Sequence, residues 1–334
     1  MATRTTSSPA RALAALVQGL SFVRGVLLLA LAALGVAAIA CGDSSQPSGA
    51  QSPDAIPQGD AAISPILTNH TLAVGENRFS LMLVDQDNTP IIDADVDLRF
   101  FDLNGDGPVL KSQSSARFIA SELFYIDEKS GEQIYLESSI GVYVTGVDFD
   151  VPGRWSVDIS VTTDSSQLQL VPLELDVLEE SPEPAVGDLA PASRQLTLAD
   201  VTDIAEIDSS FEPRLYMHDT TIANALALGK PVVVAFAAPA FCTSRTCSPV
   251  MDTVMDPLYE KYQDRAIFIH VEPLQLKELR EGRGRIHVQA AKDWGVETEP
   301  WMFVIDRQGM VAGKFEGIIA MDEVEDVLAQ VLEG

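Results

Sequence analysis

Basic residues are scarce in this 334-residue chain: 22 lysines and arginines stand against 49 aspartates and glutamates, a formal net charge of −27. Arg4, Arg11 and Arg24 fall in an opening stretch without a single acid, so the remainder carries 19 basic and 49 acidic residues, or −30. Such a surface repels phosphate backbones and anionic headgroups, which argues against nucleic acid and against charge-driven docking on a membrane. Long apolar runs are equally rare. Gly25 to Ala40 is one of 16 residues, short of the roughly 20 that span a bilayer. Cysteine is rarer still, with Cys41, Cys242 and Cys247 alone. Setting Cys41 aside leaves one even pair, as an oxidising compartment favours.

A basic opening followed by a short apolar run has the shape of an export signal. Its end, Ala38-Ile39-Ala40-Cys41-Gly42, resembles the lipobox of bacterial lipoproteins. That resemblance implies that residues 1–41 form a lipoprotein signal, that Cys41 is lipidated, and that the folded part is extracytoplasmic and lipid-anchored to a bacterial membrane. Residues 42–63 are rich in Ser, Gln, Pro, Gly and Asp and hold no aromatic residue, so they cannot bury a core and read as a flexible tether.

Period-two alternation begins near residue 64. Phe79, Leu81 and Leu83 alternate with more polar or flexible neighbours, as do Val96, Leu98 and Phe100, then Trp155, Val157, Ile159 and Val161, then Leu173, Leu175 and Val177. Turn residues intervene at Asp87 to Pro90, Asn104-Gly105, Lys129 to Gly131 and Pro152-Gly153. Short alternating strands separated by turns over residues 64–180 predict an antiparallel β-sandwich of about seven strands. The stretch Pro152-Gly153-Arg154-Trp155-Ser156-Val157 is similar to immunoglobulin-like modules of bacterial surface proteins, including small ones linked to copper-enzyme assembly. A Pro-bearing linker, 181–195, follows.

Residues 196–334 change character, and they are organised around Pro231 to Met255. Val232 to Ala237 reads as a buried strand, Cys242 and Cys247 follow at a C-x4-C spacing, and Ser248-Pro249 suits a helix start. Helices are expected over Thr221–Leu228, Pro249–Gln263, Ile286–Trp294 and Met321–Leu332, and strands over Ala266–Val271, Trp301–Ile305 and Met310–Phe315. That order predicts an α/β layer structure with a sheet covered on both faces. Phe236 to Cys242, Cys247-Ser248-Pro249 and Glu299-Pro300-Trp301 together resemble the thioredoxin-like superfamily over about residues 185–334. The whole is thus expected to be multidomain, an all-β immunoglobulin-like sandwich followed by an α/β thioredoxin-like domain.

The resemblance implies thiol–disulfide exchange, with Cys242 and Cys247 as the redox pair, Pro300 as a cis proline beside them, and exported protein thiols or disulfides and a redox partner as the partners. The match is incomplete. The family's spacing is C-x2-C, Phe241 replaces the usual tryptophan, and Ala235 stands where many members bury an acid. The strand-end match makes Cys242 the nucleophile, whereas the Cys-x-Pro match makes it Cys247; the two alternatives stay open. Glu299 adds a charge beside the site. Ser244 to Cys247 also resembles the S/T-x-x-C of thiol peroxidases, with Pro239 one residue out of register.

No motif calls for a cofactor, and no metal site is assigned. Asp102 to Gly107 fits half a calcium loop, but Gln113 holds the twelfth position, and these are also ordinary turn residues. A Cys-Cys-His copper set is the further alternative, with His218 as its candidate; His270 and His287 complete the titratable group, and His70 has no ligand-type neighbour in sequence. A non-catalytic scaffold with a structural disulfide is the non-enzyme reading.

Overall fold

The computed structural model describes residues 63–121, 124–126, 133–135, 140–163, 166–170 and 172–334. The leader, Cys41, nearly all of the tether and the Lys129–Gly131 turn lie outside them. Among the described residues of the first half ten strands form, rather than about seven: β1 (Ile63–Leu67), β2 (Gly75–Asp85), β3 (Asp95–Asp102), β4 (Val109–Ser121), β5 (Phe124–Ile126), β6 (Gln133–Tyr135), β7 (Ile140–Phe149), β8 (Gly153–Thr163), β9 (Ser166–Gln169) and β10 (Leu173–Val177). Apart from the β5–β6 hairpin they make one antiparallel sheet, ordered β1-β2-β7-β4-β3-β8-β10 with β9 on β8. The long strand β4 pairs β3 through its first half and β7 through its second, so the sheet curls continuously around its core.

Alternation dictates which side chains fill that core. Phe79, Leu81, Leu83, Leu98, Phe100, Trp155, Val157, Ile159 and Val161 are essentially sealed from solvent, because residues two apart on a pleated strand share a face. Phe149 stands edge-on between Phe100 and Trp155. The Trp155 indole nitrogen donates to Val151 O at 3.0 Å, so this large ring is buried without an unpaired donor. The Asp102–Gly107 stretch is a turn. Its Asp102 carboxylate accepts from the Asn104 backbone at 2.8 Å, and Asn104 bonds across to Pro152 O and the Arg154 N–H. Gly153, at φ +112°, is needed there because a Cβ would sit 2.2 Å from Asn104 Oδ1.

The second half builds a four-stranded sheet, β12-β11-β13-β14, from β11 (Val232–Phe236), β12 (Ile267–Val271), β13 (Trp301–Ile305) and β14 (Val311–Glu316). β12 runs parallel to β11, while β13 is antiparallel to both β11 and β14. Helix α1 (Ile222–Ala227) starts at Thr221, whose hydroxyl accepts the Asn224 N–H at 3.1 Å, and stops before Gly229 at φ +62°. Three shorter or later helices follow: α4 (Leu276–Arg280), α5 (Gln289–Asp293) and α6 (Met321–Glu333).

The helix after the cysteines departs from expectation. It begins at Cys247 rather than Pro249, as α2 (Cys247–Val250), and Ser248 does not cap it. A π turn (Met251–Met255) then leads into α3 (Asp256–Tyr262). Pro257 explains the wide turn, since it offers no N–H to the carbonyl four residues back and its ring crowds that carbonyl. Both faces of the sheet are packed: Val233, Ala235 and Ala237 meet α2, α3 and α6, while Val232, Val234 and Phe236 meet Trp294 and Phe303.

The two sheets belong to one body. Residues 181–195 are tied to the second sheet: the Val311 N–H donates to Asp188 O at 2.8 Å, and the sealed Glu183 receives Lys314 at 3.3 Å. Arg78 of β2 reaches across to Glu323 with two nitrogens, at 2.9 and 3.0 Å, and to the carbonyls of Ile318 and Glu316. Beside it Ile119, Val142 and Val144 bury Ile318. His70 lies in this seam, its N–H donating to the Glu316 carboxylate at 3.0 Å and its Nε2 3.6 Å from Glu297.

Candidate functional site

β11 is followed by the buried pair Ala237-Ala238, and the chain turns outward through Pro239, Ala240 and Phe241 to Cys242. The turn is tied down from several directions. Ala240 N donates to Ser209 Oγ at 3.2 Å, and Arg285 donates to Phe241 O at 2.7 Å. Between the cysteines, Arg245 adopts φ +62°, a left-handed conformation costly for a residue with a Cβ. That reversal folds the four-residue loop back, so that both sulfurs meet.

Both cysteines are free thiols, and their surroundings differ sharply. Cys242 is half-buried. The Cys247 thiol donates to its sulfur and the Cys247 N–H adds a second bond, while Ser244 Oγ lies 3.1 Å away. These donors outweigh partial desolvation and draw the Cys242 thiol down to about 6. Cys247 is fully buried at the first position of α2. Desolvation, together with its role as donor to Cys242, pushes its thiol well above the ordinary value. Helix N–H groups alone would favour a thiolate at Cys247, but burial wins because the charged form has no solvent there.

A hydroxyl pair extends the site. Ser244 Oγ is 2.7 Å from Thr246 Oγ1 and 3.4 Å from the Glu299 carbonyl. That same carbonyl lies 3.8 Å from Cys242 Sγ, and the Glu299–Pro300 bond is cis. The structure therefore brings Cys242, Cys247 and Pro300 into one place, across 58 residues of chain. The Glu299 charge is not free: its side chain is buried and ion-paired with Arg285. Arg285, which holds both Phe241 O and the Glu299 carboxylate, was not marked by the sequence pattern, since it lies 43 residues from Cys242 and belongs to no motif.

His218 does not join the cysteines. Among the described residues, the single cluster of three metal-type side chains is Asp208, His218 and His270, and it contains no cysteine. The Cys-Cys-His set is thus not assembled here, because His218 turns to Asp208 at 3.1 Å. His287 lies on the α4–α5 connection, where its backbone pairs with Leu274. No helix among the described residues is long and apolar enough to cross a membrane.

No protein-family model and no curated protein matches the chain. Several solved structures resemble it at a distance, two of them as follows. A thiol:disulfide interchange protein of the thioredoxin family from Chlorobium tepidum TLS is 18% identical over 46% of this chain and 99% of its own, with a TM-score of 0.26. The CARDB domain of the PF1109 protein from Pyrococcus furiosus, solved with di-metal ions, is 8% identical over 36% of this chain and 93% of its own, with a TM-score of 0.17.

Proposed function

We propose that this protein is an extracytoplasmic, lipid-anchored thiol–disulfide oxidoreductase, with Cys242 as the attacking sulfur and Cys247 as the resolving one in a thioredoxin-like domain. The observation that carries this reading is the opposite treatment of two thiols in contact: the accessible one is drawn down to about 6, the buried one is pushed up. At neutral pH the Cys242 thiolate attacks one sulfur of a partner disulfide; that S–S bond breaks, and a partner thiolate leaves and takes up a proton. Cys247 then gives up its proton and attacks Cys242 Sγ, releasing the second partner thiol and leaving a Cys242–Cys247 disulfide. Running backward, the same steps oxidise a dithiol. The immunoglobulin-like module would hold this domain away from the membrane, and Cys41 would carry the anchor.

Alkylation mapping across pH tests the assignment. Cys242 is expected to react with iodoacetamide with a midpoint near 6, and Cys247 only slowly below pH 8. Fast alkylation of Cys247, or of neither thiol, would sink the proposal. Arg285→Ala sharpens it. Without the guanidinium, the Glu299 carboxylate faces the sulfur unpaired, the thiolate costs more, and the midpoint should rise by about one unit, slowing reaction at pH 6.5 several-fold. An unmoved midpoint would remove Glu299 and Arg285 from any role in tuning the thiol.

The anchor has its own test. Cys41→Ala should leave the protein out of the membrane fraction, since an acylated cysteine supplies the chains that hold it there. Unchanged fractionation would mean that the apolar leader, not lipid, retains the chain.

A further inference from the structure

Behind the thiol site lies a group of side chains that exchange chemistry does not use. Asp208 precedes the loop toward α1, His218 follows it, and His270 projects from β12. All three are sealed: His270 is 0% exposed, Asp208 1% and His218 2%. His218 Nε2 is 3.1 Å from Asp208 Oδ2, and His270 Nδ1 is 3.5 Å from the same oxygen. One ligand atom from each lies within 4.8 Å of the others.

The orientation of His270 is the telling feature. Its Nε2 lies 2.9 Å from Ala237 O, an atom that only accepts, so Nε2 carries the proton. In the neutral ring Nδ1 then presents a lone pair, and it faces a carboxylate oxygen, another acceptor. Nδ1 has no hydrogen-bond partner although it is completely buried. A ring held by one N–H on a backbone carbonyl, with its other nitrogen bare and aimed at a carboxylate and a second imidazole, is the arrangement a metal-bound histidine adopts. The spacing agrees: bonds of about 2.0–2.2 Å to a four-coordinate ion put ligand atoms about 3.3 Å apart. Glu272, just past the end of β12, is also buried and leaves Oε1 unpartnered. A cleft of about 710 Å³, lined by His218, His270, Glu272, Gln275 and Arg194, borders the group on one side.

We propose that Asp208, His218 and His270 bind one divalent transition-metal ion of the zinc class, leaving a coordination position toward the cleft. Two imidazoles and one carboxylate form a borderline donor set that suits Zn²⁺ better than Ca²⁺ or Mg²⁺, which require oxygen cages, or Cu⁺, which prefers thiolates. The ion would neutralise the buried carboxylate and, through His270 and Ala237 O, brace the segment just past β11, from which the chain runs out to Cys242.

The test uses the full chain with all three cysteines replaced, C41S/C242S/C247S, so that no thiolate competes and the outcome is independent of the redox reading. Zn²⁺ alone is the probe, in competition with a chromophoric chelator and followed by elemental analysis. One zinc per chain is expected, with affinity at least about 100-fold weaker in D208N and H218Q. X-ray absorption on the zinc-loaded parent should show two imidazoles and a carboxylate oxygen, a readout that stands even if those variants fold poorly. No stoichiometric zinc, a shell without imidazole, or undiminished binding in folded D208N and H218Q would each overturn the site.

Discussion

Cys242→Ser should abolish the first turnover with an aromatic disulfide, lowering the rate at pH 7 by at least about a thousand-fold, because a serine hydroxyl supplies almost no anion at that pH and oxygen attacks sulfur poorly. Cys247→Ser should behave differently. The attacking sulfur remains, and the serine hydroxyl can still donate to it, so the first turnover proceeds at close to the wild-type rate. What fails is resolution, and a mixed disulfide through Cys242 accumulates, visible as a mass adduct reversed by dithiothreitol. Stopped-flow release of the aromatic thiol and intact-mass analysis read both outcomes. If Cys247→Ser proves to be the variant that loses the first turnover, the roles are reversed, and helix N–H groups outweigh burial after all. If neither variant changes anything, the pair is not an exchange centre.

Arg78→Ala is expected to cause the largest loss of stability. Its guanidinium pairs bidentately with Glu323 and caps the carbonyls of Ile318 and Glu316, and the two charged side chains are only 11% and 14% exposed. Removing the cation leaves a nearly buried carboxylate and two carbonyls without their donor, a class of change that costs about 3–5 kcal/mol. Since Arg78 sits on β2 and its partners on the β14–α6 corner, the loss falls on the seam between the two sheets. Calorimetry should therefore show the wild type melting in one transition and Arg78→Ala in two, the lower one earlier. A single transition within about 1 °C of the wild type would show that the seam is held by Ile119, Val142, Val144 and Ile318 instead, with the ion pair contributing little.

The sequence carried the strands well, and for a local reason. Trp155, Val157, Ile159 and Val161 are one face of β8 because period-two spacing puts them there, whatever the rest of the chain does. Continuous apolar runs located β11 and β13, and the Gly229 stop signal located α1, by equally local patterns. Local reading failed at the helix after the cysteines, where Ser248 and Pro249 looked like a start signal but helical geometry is set from Cys247 by the turn that precedes it. The candidate site was legible as a motif, Cys242, Cys247 and Pro300, yet not as a mechanism. Spacing cannot say which sulfur is deep; burial of Cys247 and the donors around Cys242 do.

Residue order and local pattern were thus enough for the acidic character of the surface, the alternating strands and the C-x4-C spacing of the thiols. Each follows from composition or from contacts a few residues apart. Tertiary structure alone decided that Cys247 is buried while Cys242 is not, that Pro300 lies beside them, that Arg285 occupies the Glu299 charge, that Arg78 joins the two sheets, and that Asp208, His218 and His270 converge. Those outcomes depend on desolvation and on pairings between residues from 10 to more than 200 positions apart, and neither quantity is written in a stretch of neighbouring letters.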